Sequence, residues 1–437
     1  MSASEVVVRP DAWSAAARLI ARWLDQRERL DALLESLPAG LPAAERARCQ
    51  HLVYGVVRHF GRIDAVLGKL VTHPPRFVTR AVLFVAAFEL IEAHDSPATD
   101  GRVAKIVHHA VEQTKKLASP AEARLVNAVV RKAAAELMGP APDGASADES
   151  ALADYFSHPR WLVERWLRSF GVDVTRQLLE WNQRPAPGYA RWRVESESPP
   201  EFLKASAWPG FFEVAPRRWR EVAPLLKSGR LYLQDPSTRL AVELLAPQSG
   251  ETVLDLCAAP GGKGLLIADA MKKGRLVSVD VPGARIDRLK ENLATVREVE
   301  VSLVQADLLE GIGPLLRDDH RLPESYDAVL LDVPCSNTGV IRHRADVKWR
   351  LQPGDFAKHA AQQLAMLHAA AKLVSPQGGR LVYSTCSIDP EENEGVIRAF
   401  FNSRAGESFK LINQIQVLPT VANHDGVGAF LLVKNSR

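Results

Sequence analysis

Val253-Leu-Asp-Leu-Cys-Ala-Ala-Pro-Gly-Gly-Lys263 decides the fold. A short apolar run enters a turn of small residues, and the turn opens a helical stretch, Lys263–Met271. Two alanines and two glycines let a ligand lie close to the backbone, and a helix start offers unpaired N–H groups. Neither Gly-x-Gly-x-x-Gly nor the Gly-x-x-x-x-Gly-Lys-[Ser/Thr] phosphate loop is present. Outward from this stretch, short apolar strands (Arg275–Val279, Val301–Gln305, Ala328–Leu331, Gly379–Ser384) alternate with helical segments (Gly283–Val296, Asp355–Val374). That alternation predicts an α/β fold: a Rossmann-like, mostly parallel sheet over 241–437 with helices on both faces. Ligands bind such sheets at the C-terminal strand ends.

The rest of the 437 residues divides by pattern into roughly two further domains. Residues 1–140 read as amphipathic helices, among them Ala12–Trp23, Val103–Leu117 and Ala121–Leu137, and end in the linker-like Gly139-Pro-Ala-Pro-Asp-Gly-Ala-Ser146. Residues 151–240 read as a small mixed α/β segment with a helix at Trp161–Phe170 and strands at Tyr189–Val194 and Gly229–Leu233. This segment carries a net charge of +4, against +1 for 1–150 and −2 for 241–437, and it holds six of the nine tryptophans. Arginine interleaved with aromatics suits an RNA-binding surface, through phosphate contacts and base stacking.

With 46% apolar and 24% charged residues, the composition excludes disorder over most of the chain. The longest apolar run, Ala81–Phe88, stops at Glu89 and is too short to span a bilayer. The N-terminus has no basic and apolar leader pattern, and Cys49, Cys257, Cys335 and Cys386 are too scattered for a disulfide framework. A reducing cytoplasm, a monomer, no membrane partner and no metal are the expectations; structural zinc wants cysteines two to four apart, and none are.

The acids at successive strand ends narrow the ligand. Asp280 closes the strand after the glycine turn, where an acid commonly meets the two hydroxyls of a ribose, and Asp307 closes the next. A glycine-rich turn with a ribose acid and an adenine-side acid describes an adenosine site without a pyrophosphate clamp. S-adenosylmethionine fits it better than NAD or ATP.

Two further motifs carry chemistry: Leu331-Asp-Val-Pro-Cys-Ser-Asn-Thr-Gly339 and Tyr383-Ser-Thr-Cys-Ser-Ile-Asp-Pro-Glu-Glu-Asn-Glu394. Neighbouring parallel strands would bring Cys335 and Cys386 into one cleft. Both sit in polar, proline-flanked turns, unlike Cys49, which suits a buried apolar role. A methyl donor beside two thiols points to C5 of cytosine. That carbon is too electron-poor to attack a methyl group unaided. A thiolate adding at C6 makes it nucleophilic, and the adduct must then lose the C5 proton and expel the sulfur. Asp332 is placed to stabilise the charge that develops on the ring.

These residues resemble the RNA (cytosine-5)-methyltransferases, in Cys257-Ala-Ala-Pro-Gly-Gly-Lys263, Asp332-Val-Pro-Cys-Ser336, Thr385-Cys-Ser387 and Pro390-Glu-Glu-Asn-Glu394. More narrowly the chain is similar to the bacterial RsmB (Sun, Fmu) type, which acts on 16S ribosomal RNA. Leu52-Val-Tyr-Gly-Val-Val-Arg58 and Arg124-Leu-Val-Asn-Ala-Val-Val-Arg131 resemble that group's NusB-like helical RNA-binding domain, and Ile341–Trp349 its substrate-side loop. The resemblance implies Cys386 as nucleophile and Cys335 as the group that assists release. It also implies a cofactor pocket of Cys257, Ala258, Ala259, Pro260, Gly261, Gly262 and Lys263 with Asp280, Asp307 and Asp332. One departure is Gly264, where the family usually has threonine. The same chemistry on transfer RNA, or an inactive RNA-binding assembly factor, are the competing readings.

Overall fold

The computed structural model describes residues 11–94, 101–142, 148–311 and 322–436, in two compact units. The first comprises the chain up to Arg184 together with Ile341–Leu351. Its elements, among the described residues, are all helices. The apolar run Ala81–Phe88 lies in the helix Phe77–His94 with every residue buried, because a helix that is apolar on all sides must sit at the centre of its bundle. Ala12–Gln26 starts at Asp11, whose side chain accepts from Ser14 N at 2.8 Å, and Pro120–Leu137 starts at Ser119 with proline in its first turn. The segment Ile341–Leu351 belongs to the packing of this unit. Lys348 is fully buried there and donates to Arg58 O at 3.0 Å, and Trp349 Nε1 donates to Val57 O at 2.8 Å.

The second unit, Pro185–Val340 with Gln352–Arg437, holds two sheets. Strands β1 (Tyr189–Trp192), β2 (Leu203–Ala205), β3 (Phe211–Val214) and β4 (Leu231–Leu233) form an antiparallel sheet in the order β2-β3-β1-β4. The larger sheet has seven strands: β5 (Thr252–Leu256), β6 (Gly274–Asp280), β7 (Val299–Gln305), β8 (Ala328–Asp332), β9 (Arg380–Thr385), β10 (Phe409–Val417) and β11 (Val427–Lys434). Their order is β10-β11-β9-β8-β5-β6-β7, and β5 to β9 pair in parallel. Strands β10 and β11 add an antiparallel edge that the sequence pattern did not single out.

Side-chain alternation fills both faces of this sheet. Leu254, Leu256, Leu331, Leu381 and Tyr383 pack beneath the helices Asp355–Ala371 and Glu394–Phe401. Val253, Leu276, Leu330 and Val382 pack against Thr238–Leu245, Gly262–Met271 and Ile286–Leu293. The expected three-layer α/β fold is present. Among the described residues no helix is long and apolar enough to cross a membrane.

Packing divides the chain elsewhere than the expected boundaries. The helix Arg160–Gln183 packs with the helical unit, and the expected break at 240/241 falls inside the helix Thr238–Leu245. Trp166 and Trp181 are buried, Trp161, Trp192 and Trp208 are half-buried, and Trp219 alone of the six is exposed, at 61%. Two of the six tryptophans therefore build cores, and the other four keep part of their surface exposed.

The small sheet is tied to the large one by charge. Arg193 grips Asp269 through two bonds of 2.9 Å and donates to Gly229 O and Thr295 Oγ1, while Arg191 adds a bond to the same carboxylate. Both arginine side chains are buried and Asp269 keeps 34% of its side chain exposed. Asp269→Ala should lower the unfolding free energy by about 2–4 kcal/mol, because it strands two buried cations; the solvent contact of Asp269 moderates the loss. Denaturant unfolding measures it, with Asp269→Asn expected between the variant and wild type.

Candidate functional site

The strand order reverses between β5 and β8, so the loops after these strands open the crevice where a doubly wound sheet takes its ligand. On one side of this point stands the glycine turn. It passes from β5 into the helix Gly262–Met271 through Cys257 at φ 60° and Gly261 at φ 106°. Gly261 needs that freedom, since a left-handed φ strains any residue with a Cβ. Asp280, at the end of β6, holds the turn: one carboxylate oxygen accepts from Ala259 N and the other from Val281 N, both at 2.8 Å. Asp307 follows β7 and accepts from Leu309 N at 2.8 Å. The three strand ends thus stand in the expected order, and two of the acids also brace their own backbone.

Beneath the turn lies a residue the sequence reading passed over. Asp255 of β5 is fully buried, and among the described residues neither carboxyl oxygen has a hydrogen-bond partner. Burial, with Asp332 and Asp280 adding to it against the opposing Lys263, pushes this carboxyl up to about 8. Gly264 makes room for it, since a Cβ there would sit 2.9 Å from Asp255 Oδ2.

On the other side, β8 and β9 pair with Asp332 opposite Ser384, so the loops carrying the two thiols leave side by side. Gly339 N donates to Cys386 O at 2.9 Å, and a Cβ on Gly339 would lie 2.7 Å from the Cys386 and Gly426 carbonyls; only glycine allows the loops to close this far. Cys335 Sγ and Cys386 Sγ stand 3.2 Å apart. Asn337, at φ 61°, donates to Cys335 O at 2.6 Å and accepts from Cys386 Sγ at 3.2 Å. Asparagine tolerates that backbone better than most residues. The hydrogen bond with Cys386 comes first, then burial, then the charges of Cys386 and Glu392, in pushing the Cys335 thiol well above its ordinary range.

Lys263 joins the two sides. Its Nζ donates to Asp332 Oδ2 at 2.7 Å, and Ser384 Oγ donates to Asp332 Oδ1 at 2.7 Å. Burial works against the ammonium, but Asp332, Cys386 and Asp255 outweigh it and hold its pKa above the usual lysine value. The structure thus brings Cys335, Cys386, Asp332 and Lys263 together. Cys49 and Cys257 lie outside this set, and burial raises Cys49 to about 11 and Cys257 higher still, so neither is a ready nucleophile. Asn337 and Ser384, missed as site residues, lie inside the quoted motifs, and only their polarity marked them.

Residues 242–426 match the family model of the 16S rRNA methyltransferase RsmB/F, and residues 11–135 match the NusB family. The ribosomal RNA small subunit methyltransferase B of Sodalis glossinidius is 32% identical over 441 residues, covering 97% of each chain. That of Cronobacter sakazakii is 31% identical over 446 residues, covering 96% of this chain and 98% of its own. The solved structure of PH0851 superposes with a TM-score of 0.74 at 23% identity, covering 97% of this chain and 99% of its own. A methyltransferase homolog protein from Pyrococcus horikoshii gives a TM-score of 0.53 at 24% identity over 65% of this chain and 97% of its own. Both share the fold.

Asp255 generates a pH prediction. Its carboxyl ionises near 3.8 in the unfolded chain and near 8 in the folded one, so the folded state is disfavoured progressively as pH rises from 4 towards 8. Asp255→Asn should remove that decline. The variant's stability relative to wild type, from denaturant titrations, should be higher at pH 8 than at pH 5.

Proposed function

The chain belongs to the ribosomal RNA small subunit methyltransferase B family, and on that premise we propose that it methylates C5 of a cytosine in 16S ribosomal RNA, in the cytoplasm, through a covalent bond between Cys386 and C6. The observation that carries this reading is the 3.2 Å approach of Cys335 to Cys386 beside the Lys263–Asp332 pair.

S-adenosylmethionine is the methyl donor, and when bound it supplies an electrophilic methyl group. The residues fit it. The turn Cys257–Lys263 and the start of the helix Gly262–Met271 offer backbone to a small adenosine ligand. Each Asp280 oxygen retains a lone pair for a ribose hydroxyl after meeting its backbone N–H. Asp307 would face the adenine side, and Asp332 would border the pocket through its contact with Lys263.

In the proposed mechanism the Cys386 thiolate forms a bond to C6, and the C5–C6 π electrons move onto C5 and into the ring. Lys263, held by Asp332, sets a positive charge against that electron density, while Asp332 faces the N3/N4 edge. Once C5 carries the methyl group, its remaining proton must leave and the C6–S bond must break. In one elimination Cys335, kept protonated, gives its proton to the departing sulfur while the resulting Cys335 thiolate takes the proton from C5, and the C5–H electrons re-form the C5–C6 double bond as the C6–S bond breaks. Both sulfurs end as thiols, and the pair returns one proton to solvent before the next cycle.

Cys386→Ala should abolish methyl transfer while leaving S-adenosylmethionine binding near wild type; methylated product from that variant would remove Cys386 as nucleophile. Cys335→Ala should accumulate a protein–RNA adduct that survives denaturing electrophoresis, and free turnover by it would remove Cys335 from the release step. Bisulfite sequencing of ribosomal and transfer RNA, with and without the protein, reads the substrate: a protein-dependent site in 16S RNA is expected, and one confined to transfer RNA would overturn that choice.

A further inference from the structure

The motif Pro390-Glu-Glu-Asn-Glu394 follows Cys386 but supplies no group to the mechanism above. Its Glu392 is completely buried, and among the described residues no lysine or arginine forms an ion pair with it. A carboxylate in that position is expensive unless its oxygens are met. Two of the three hydrogen bonds that meet them come from the loop that carries Cys335. Ser336 N donates to Glu392 Oε1 at 2.9 Å and Ser336 Oγ donates to Oε2. Gln363 Nε2 completes the set, donating to Glu392 Oε1 at 2.9 Å and to Pro334 O at 3.0 Å. The main chain of Glu392 is fixed in turn, because Tyr383 of β9 donates its hydroxyl to Glu392 O at 2.6 Å.

We propose that Glu392 is the positioning residue for proton transfer between the thiols: it clamps Pro334–Ser336 against the chain following Cys386, and so aims Cys335 at the Cys386 sulfur. This rests on the adduct mechanism proposed above. The flanking polar residues serve the same two loops. Thr338 Oγ1 donates to Asp389 Oδ2 at 2.6 Å, and Asn393 Nδ2 donates to Ser387 O at 2.9 Å. Glu392 differs from these in bonding to the backbone N–H of Ser336, the residue directly after Cys335. Its negative charge also favours the protonated form of Cys335, after the contributions of Cys386 and burial, while Lys263 lies on the Cys386 side. The two sulfurs, alike in chemistry, are thus placed in unlike electrostatic surroundings.

Glu392→Gln keeps the shape and removes the charge. With folding verified by circular dichroism and S-adenosylmethionine affinity unchanged, its turnover on unmodified RNA should fall at least about tenfold. An adduct stable to denaturation should accumulate, and the alkaline limb of the pH–rate profile should move down by about half a unit or more. Trapping on RNA containing 5-fluorocytosine, which needs the attack of Cys386 and methyl transfer but cannot complete release, should persist. Wild-type turnover without adduct, or a fall in turnover with an unmoved pH profile and no adduct, overturns the assignment. Should Glu392→Gln fail to fold, Ser336→Ala removes one donor to Glu392 and should show the same adduct to a smaller degree; its absence there is equally decisive. Failure of the wild-type protein to trap on 5-fluorocytosine RNA would instead sink the adduct mechanism, leaving the clamp to be judged by the pH profile alone.

Discussion

The parallel pairing of β8 with β9 is the constraint on which the site depends. Asp332 stands opposite Ser384, Leu331 opposite Tyr383 and Leu330 opposite Val382. Leu331 and Tyr383 face one helical layer, and Leu330 and Val382 face the other. A slip of one residue would turn the apolar set of one strand onto the wrong face, so the core itself enforces the register. The loops inherit that register at no separate expense, and the separation of the thiols is decided by Leu, Val and Tyr packing well below them.

Charge across the strand ends is arranged with similar economy. Asp255, Asp280 and Asp332 arise from three adjacent strands; Lys263 projects among them from the start of the helix after the glycine turn, and Arg285 Nη2 stands 3.8 Å from Asp280 Oδ1. An ionised Asp255 would add a third, fully buried carboxylate to a crevice whose cations, Lys263 and Arg285, already face Asp332 and Asp280. Raising Asp255 to about 8 avoids that cost, since a neutral acid leaves Lys263 to Asp332. The same lysine therefore links the donor side of the crevice to the sulfur side.

Much of this was legible in the sequence, because the information was local. The run Thr252–Leu256 into two glycines could only be a strand entering a turn, and Cys335 and Cys386 announced themselves by their polar, proline-flanked settings. What stayed hidden depends on neighbours far along the chain. Asp255 looks like any strand acid until its burial is known, and Glu392 becomes interesting only once Ser336 and Gln363 are beside it. The tryptophans were ambiguous for a related reason: composition records how many there are and not which way they face, and Trp166 and Trp181 face inward while Trp219 faces out. The antiparallel edge of β10 and β11 escaped notice because exposed polar residues such as Lys410, Asn413 and Gln414 interrupt the apolar pattern of β10.

The helix Thr238–Leu245 has a practical meaning for anyone dissecting this chain. It leaves the small sheet and ends packed on the large one, and Asp235 just before it accepts from Asp425 N at 3.1 Å, two residues ahead of β11. A fragment trimmed to begin at 241 would open on a severed first turn and leave Asp269 facing water in place of Arg191 and Arg193. A methyl-transfer fragment therefore has to start no later than about Pro185 so that the antiparallel sheet travels with it, and it still strips Ile341–Leu351 of the helical unit in which that segment packs.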